Sequence, residues 1–568
     1  MPHVSPPATA PGRNIRALFW SLAILLGLLQ VWAHRFEVAP DGISYIEIAR
    51  AGGPDFINGY WSPLYPFLLR LIFGIFPTSL YWESTVVHFA NLAIFLLCLA
   101  SFELFLRQLL LLRQAAPEFQ GGDALFSVRS FWIAGYILFL WAGHFWVTPV
   151  WVTPDLLVAS LAFLATAALL RGHRGAAGPM TFAWLGLVLA LAYLAKTPMF
   201  LLAFVFLACA AALATHNAVA NVSIAFALFL IIAAPFVFFL SSTKGRLTFG
   251  DSGKINYAEF VNGAPKYVHW QGKPPGTGIP AHPTREVLSD PPLYEFSTPL
   301  PGSYPPWHDP SYWYEGVQAH FSVKGQPLAL YRTASAYFRI FSITGVLYAV
   351  LLAVLILKKS GKVSIAKFAT PAWLIWVPAF AAVAMYALVH VEARFVGEFL
   401  LMLLISFLAR VRSNPSEGKP WVPKVARIIV LAPAVAVLCA GVLDVSQIIS
   451  SKPFEQWAVA QQLQKMGISA GSHVGYIGIG LDAYWAHLAQ VGIVAEVPDS
   501  GRASFLQASA EEKNEVMRKF RDFGAIAVLT KFPDVARSTD SWQQIPGTRY
   551  FIWLLSTRVK PAAETRGK

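Results

Sequence analysis

The chain has 568 residues, 56% of them hydrophobic and only 13% charged, with a mean hydropathy of +0.52. Soluble domains carry about a quarter charged residues, so a soluble enzyme is excluded; apolar runs of about 17 to 25 residues recur, each long enough to cross a bilayer. The net charge of +13 does not mark a nucleic-acid binder, because most Lys and Arg stand in short segments between apolar runs, where they orient a membrane protein.

Residues 1–16 are Pro-rich, carry Arg13 and Arg16, and read as a cytoplasmic N-terminal segment. "VWA" at 31–33 resembles a signal-peptide cleavage site. A retained anchor is the favoured reading, and either choice puts Asp41 outside the cytoplasm. Eleven spans are expected, near 17–34, 84–106, 130–148, 154–170, 181–195, 198–215, 219–240, 336–357, 368–389, 395–410 and 425–445. With the N-terminus inside, the cytoplasmic segments hold sixteen Lys and Arg and the short outer ones five, namely Arg35, Arg50, Arg70, Lys196 and Arg394. That asymmetry sets the orientation.

Three outer pieces follow. The first, 35–83, has two short amphipathic stretches around 42–51 and 64–76. The second is a long loop, 241–333, rich in Pro, Gly, Tyr and Trp. The third is the tail, 446–568, whose composition is soluble. In the tail "SHVGYIGI", "VGIVAEV", "AIAVLTK" and "RYFIWLLS" read as strands, and "EEKNEVMRKFRDFG" between them as a helix. The expectation is an all-α polytopic membrane protein of about eleven transmembrane helices, with a membrane domain over 17–445 and a small extracytoplasmic α/β domain over 446–568.

Cys98, Cys209 and Cys439 each lie inside an apolar run, show no metal-ligand spacing and read as packing residues. "GIGLDA" at 478–483 fits a dinucleotide-binding pattern after a strand. The following helix is short and nucleotides are scarce outside the cell, so a tight strand-to-helix turn is the preferred reading.

Ionisable residues near membrane depth are expensive and point to function. Here they gather on the outer side: Asp41 in "APDGISYIEIAR", Asp155 after "WVTP", Lys196 in "YLAKTPMF", and His390, Glu392 and Arg394 in "VHVEARF". Each has a structural alternative. Asp155 complements a helix dipole, Lys196 and Arg394 are placed to snorkel, and Asp41 could cap the helix "GISYIEIA". The inner side shows only Glu103 and Arg107, spaced i, i+4 as a simple helix pair. Convergence of several charges on one face favours a site that handles a phosphate and a proton.

In order along residues 15–410, "PDGISYIEIA", "GYWSPLYPFLL", "VTPDLLVASLAFL", "LAYLAKTPMF" and "HVEARFVGEFLLML" resemble the GT-C superfamily of polytopic glycosyltransferases, in the protein O-mannosyltransferase and lipid A aminoarabinose transferase branch. Two departures stand out: the residue after the aspartate in "DGISY", and "KTP" where "KGP" is commoner. The resemblance implies a GT-C-like fold and transfer of a sugar from a polyprenyl-phosphate carrier to an acceptor on the outer face. It implies Asp41 as catalytic base, Asp155 assisting the acceptor or a metal, and basic residues at outer helix ends holding the carrier phosphate.

Elementary chemistry fits that implication. A hydroxyl acceptor needs a carboxylate within reach to take its proton. Charge builds on the departing phosphate in an oxocarbenium-like transition state, where Lys196, Arg394 or a divalent ion would stabilise it. One carboxylate base without a covalent intermediate gives inversion. Tyr45, Tyr60, His390 and Glu392 are candidates to orient substrate, with interfacial anchoring the alternative for the tyrosines. The loop's His269, His282, His308 and His320 show no ligand spacing, and no cofactor is specified. Expected partners are the lipid-linked donor, an acceptor of unspecified class and membrane lipids, in the cell (inner) membrane with no nucleic acid. A transporter is the rival reading, although no internal repeat appears; a membrane-anchored binding or scaffold protein is the third.

Overall fold

The computed structural model describes residues 10–116, 119, 124–176, 178–213, 217–266, 269–296, 301–346, 350, 363–365, 372–413, 422–450 and 453–555. Its helical part is built from α1 (Arg13–Ala33), α2 (Pro40–Ala51), α3 (Leu64–Ile75), α4 (Leu80–Ala115), α5 (Val128–Phe145), α6 (Asp155–His173), α7 (Pro179–Ala195), α8 (Met199–Ala211) and α9 (Ala218–Lys244). There follow α10 (Ser252–Phe260), α11 (Pro305–His308), α12 (Pro310–Trp313), α13 (Gly325–Ser342), α14 (Trp373–Ala387), α15 (Ala393–Leu408) and α16 (Val422–Ile449).

Five stretches among the described helices are long and apolar enough to cross a membrane: α1, α4, α6, α9 and Ile429–Ile449 of α16. The helices α7, α8 and α14 are apolar but have 17, 13 and 15 residues. At 1.5 Å per residue they reach roughly 20 to 26 Å, short of a hydrocarbon core of about 30 Å. The span expected at 336–357 is described at 336–346 and 350 alone.

The first, outer stretches behave as their patterns suggest: 42–51 falls on α2 and 64–76 on α3. Proline opens α2 and α7 at a position where its missing N–H costs nothing. The membrane core is aromatic, with Phe102, Trp132, Tyr136, Trp141 and Trp146 buried between α4, α5 and α6. Ile231, Phe238 and Phe239 on α9, and Leu438, Val442 and Leu443 on α16, stand exposed, as apolar faces against acyl chains would.

Outside the bundle lies a seven-stranded sheet ordered β1-β2-β6-β5-β7-β9-β8. Its strands are β1 (Arg285–Ser289), β2 (Pro292–Glu295), β5 (His473–Gly478), β6 (Gly492–Pro498), β7 (Ala527–Thr530), β8 (Gln543–Gln544) and β9 (Phe551–Leu554). A separate two-stranded ribbon joins β3 (Val363–Ile365) to β4 (Val411–Ser413). The centre of the sheet is parallel, β6-β5-β7, and almost every residue there is buried, as parallel strands covered on both faces are.

Four strands of the tail fall on the segments expected to form them, and α19 (Ala510–Asp522) opens with a capping box between Ser509 and Glu512. The tail also contributes α17 (Glu455–Lys465) and α18 (Tyr484–Ala489). The segment 241–333, expected as a long loop, carries a β1–β2 hairpin that adds an edge to the tail's sheet, Tyr294 opposite Glu496. An exposed sheet edge is a liability that a covering hairpin removes. In "GIGLDA", a Cβ at Gly480 would stand 2.4 Å from the Tyr304 ring and 2.6 Å from a Glu496 oxygen; the turn is filled by packing, and a carboxylate there would repel phosphate.

Candidate active site at the helix ends

The residue Asp41 stands in the first turn of α2, after an N-cap, Ala39, that makes no side-chain bond. Its carboxylate does not cap the helix. It reaches instead to α15, where Arg394 Nη2 donates to Asp41 Oδ2 at 2.8 Å. Gly42 lets α2 lie this close to the segment leading into α6, since a Cβ there would meet that of Val152 at 2.7 Å.

That segment delivers Asp155, the first residue of α6, with a side chain only 5% exposed. Asp155 Oδ1 accepts from Lys196 Nζ at 2.5 Å, and Oδ2 accepts from the Thr153 hydroxyl at 2.7 Å and lies 3.7 Å from Arg394 Nη1. Lys196 ends α7 in extended backbone before Pro198, which starts α8, and its ammonium lies 3.9 Å from the centre of the Phe395 ring. Arg394 Nε also donates to Glu392 at 2.7 Å. The result is one chain of charge, Lys196–Asp155–Arg394–Asp41, with Glu392 and His390 branching from the guanidinium.

All six ionisable residues singled out in the sequence therefore meet, from four distant segments. His390 hydrogen-bonds Glu392 at 3.2 Å and stacks flat on Phe260 of α10, centroids 4.1 Å apart. Burial raises the Glu392 carboxyl, but the His390 bond and the Arg394 charge outweigh it and hold the pKa down at about 2. The two tyrosines sit differently. Tyr45 is buried, edge-on to Trp61 and Tyr65; burial, with Asp41 and Asp155 nearby, pushes its hydroxyl well above the usual range. Tyr60 is half-buried and accepts from Asn256 at 3.5 Å. Neither is a surface anchor.

A divalent ion would need these carboxylates. Both aspartates are engaged by Arg394, and among the described residues no three His, Cys, Asp or Glu side chains gather to hold a metal. The residues present do not form a metal site. Glu103 also departs from expectation, for it pairs with Arg16 at 2.9 Å and accepts from Trp20 and Tyr136. Three-dimensional partners replace the helical neighbour Arg107.

Sequence reasoning missed three buried carboxyls. Glu47 stands inside "APDGISYIEIAR", Glu83 opens α4, and Glu398 lies one turn below Arg394, 3% exposed, with one oxygen lacking a partner. A carboxylate inside an apolar helix was the available signal.

The fold has solved counterparts among membrane proteins. Aligned over 96% of this chain and 100% of the other, it is similar to ArnT from Cupriavidus metallidurans in the apo state, with a TM-score of 0.51 and 12% identity. Against the same organism's ArnT bound to undecaprenyl phosphate the TM-score is 0.52 at 11% identity, over 96% of this chain and 99% of that one. No family model and no curated protein matches the chain. The likeness is one of fold across the whole length.

Proposed function

We propose that the protein is an inverting glycosyltransferase that moves a sugar from a polyprenyl-phosphate donor to an acceptor on the extracytoplasmic face of the membrane. The observation that carries this reading is the Lys196–Asp155–Arg394–Asp41 chain of charge at the ends of α2, α6, α7 and α15. The fold shared with ArnT, seen bound to undecaprenyl phosphate, supports a lipid-phosphate donor.

In this mechanism Asp41 takes the proton of the acceptor hydroxyl, whose oxygen attacks the anomeric carbon from the face opposite the phosphate. The bond from that carbon to the phosphate oxygen breaks, and its electron pair leaves with the phosphate. Asp41 Oδ2 is held by Arg394, which aims the carboxylate. Lys196 and Arg394 receive the charge that develops on the leaving group. Both cations are paired with carboxylates here, so an arriving phosphate competes with Asp155 for them. The loop helix α10, stacked on His390 through Phe260, borders the acceptor side. The tail and the β1–β2 hairpin form one extracytoplasmic unit above the site.

The test is transfer by purified protein in liposomes, against a panel of polyprenyl-phosphate sugars and hydroxyl-bearing acceptors. Transfer with inverted anomeric configuration is expected. Folded protein that leaves every lipid-linked sugar intact would overturn the reading.

A further inference from the structure

Six residues beyond Asp41, α2 carries Glu47, and around it lies a second buried network that the proposed chemistry does not use. Glu47 Oε1 accepts from the Ser303 backbone N–H at 2.9 Å and from the Ser303 hydroxyl. His487 of the tail helix α18 places Nδ1 3.3 Å from the same oxygen and Nε2 2.7 Å from Glu83 at the start of α4. Glu83 in turn accepts from Arg50 Nε at 2.7 Å, on the last turn of α2. The ring is closed: α2 to the tail, the tail to α4, α4 back to α2.

Three of its members are buried, Glu83 completely and Glu47 and His487 to nine-tenths, while Arg50 is exposed. His308 faces Glu47 at 3.8 Å and Asp55 at 3.8 Å, and Tyr484 stacks on His487 with centroids 5.7 Å apart. The turn at Gly302 has φ +70°, and a Cβ there would stand 2.3 Å from Glu47, so the loop presents Ser303 only because this residue is glycine. An imidazole with both nitrogens against carboxylates satisfies both only when protonated, since the neutral ring donates through one nitrogen alone.

We infer that His487 is a positioning residue for Asp41: through Glu47 and Glu83 the tail clamps α2, so sugar transfer depends on the tail although His487 lies outside the catalytic chain of charge. Residues 42–49 of α2 are all buried, and the helix is held at three heights, by Arg394 at Asp41, by His487 and Ser303 at Glu47, and by Glu83 at Arg50. Loss of the middle tie leaves two buried carboxylates facing each other across a neutral gap. Displacement of α2 by about 1 Å would cost on the order of a hundredfold in a reaction governed by near-attack geometry.

This inference rests on the glycosyltransferase reading, and its test separates the two. His487→Gln and wild type are compared by sugar-transfer kinetics and by hydrogen exchange of α2 and of strands β5–β7. The expected result is a tenfold to hundredfold fall in kcat with donor KM within about twofold, together with faster exchange confined to α2. Raising the pH through about 10 should produce the same pair of changes in wild type and a smaller change in His487→Gln, where His308 is left facing Glu47. Unchanged kcat and unchanged α2 exchange in the variant would overturn the clamp. Equal loss of protection in α2 and the strands, with normal turnover per folded molecule, would also overturn it, as a purely structural role. If His487→Gln fails to fold, Ser303→Ala is read by the same criteria. Wild type that transfers no sugar would sink the glycosyltransferase reading, while α2 exchange would still decide whether the tail holds that helix.

Discussion

Asp41 is held by an arginine 353 residues further along the chain, and this changes what its substitution should do. In Asp41→Asn the amide keeps the size of the side chain, and Arg394 retains Glu392 at 2.7 Å and Asp155 at 3.7 Å, so the fold should survive. A general base contributes about 10²–10⁴-fold, and turnover should fall by that order with little change in donor binding. A fully active Asp41→Asn enzyme, with transfer measured beside thermal stability, would move the base to Asp155. For Lys196 the structure adds a complication. Lys196→Ala strips Asp155, a carboxylate 5% exposed, of its nearest cation, and an unpaired buried charge is strongly destabilising. The double variant Lys196→Met with Asp155→Asn removes both charges. Its donor efficiency should drop by roughly tenfold to a hundredfold, the loss of one charge-assisted bond of about 1.5 to 3 kcal/mol, while its melting temperature stays above that of Lys196→Ala. Wild-type donor efficiency in the double variant would show that the carrier phosphate is held elsewhere.

Among the elements, α7 shows how the short apolar helices are held. Gly186 faces α9 so closely that a Cβ would stand 2.2 Å from the Ala225 carbonyl oxygen. Within lipid, where apolar side chains gain nothing by leaving their surroundings, small residues at such crossings let backbones approach and gain dispersion. Gly186→Leu should therefore force α7 from α9 at a cost of about 1 to 3 kcal/mol, read as a lowered midpoint of thermal unfolding in detergent. Since α7 ends at Lys196, transfer should fall as well. A variant as stable as wild type would mean that the crossing opens without cost. The hairpin β1–β2 makes a different point about elements. Its residues alternate only weakly in burial, and it owes its strand form to pairing with β6 rather than to its own pattern.

At the scale of the whole molecule, the junction of tail and membrane part is a charge network, and its pH dependence follows in sign. Burial lowers the pKa of His487, but Glu83 and Glu47 outweigh it and carry it up to about 10. At His308 burial is outweighed in the same way by Asp55 and Glu47, reaching about 9. A free histidine titrates near 6.5. Both groups therefore stabilise the fold fully below about pH 6.5, and that contribution drains away as pH rises through about 9 to 10. The melting temperature should decline over that window, and more steeply in wild type than in His487→Gln; parallel slopes would remove His487 as the titrating group. Orientation is tested independently. A reporter active only outside the cytoplasm, fused after residue 568, should be active if the excess of basic residues sets the topology. A stable but silent fusion would place Asp41 on the inner face and defeat the proposed use of an external acceptor.

By itself the sequence determined the membrane class, the places of the long apolar helices that the structure describes and of four tail strands, and the six ionisable residues that meet. Each of these leaves a local trace: apolar run length, short apolar runs bounded by turn residues, and the rarity of charge near membrane depth. What only the tertiary structure decided was pairing. Arg394 bonds an aspartate 353 residues away, Glu103 ignores Arg107 for Arg16, β2 finds β6 across two hundred residues, and Glu47 and Glu83 are joined by a histidine from the tail. No local pattern records such choices, because they are made by whichever partners the fold brings within hydrogen-bond reach once water is excluded, where an unpaired charge costs more than the chain can spare.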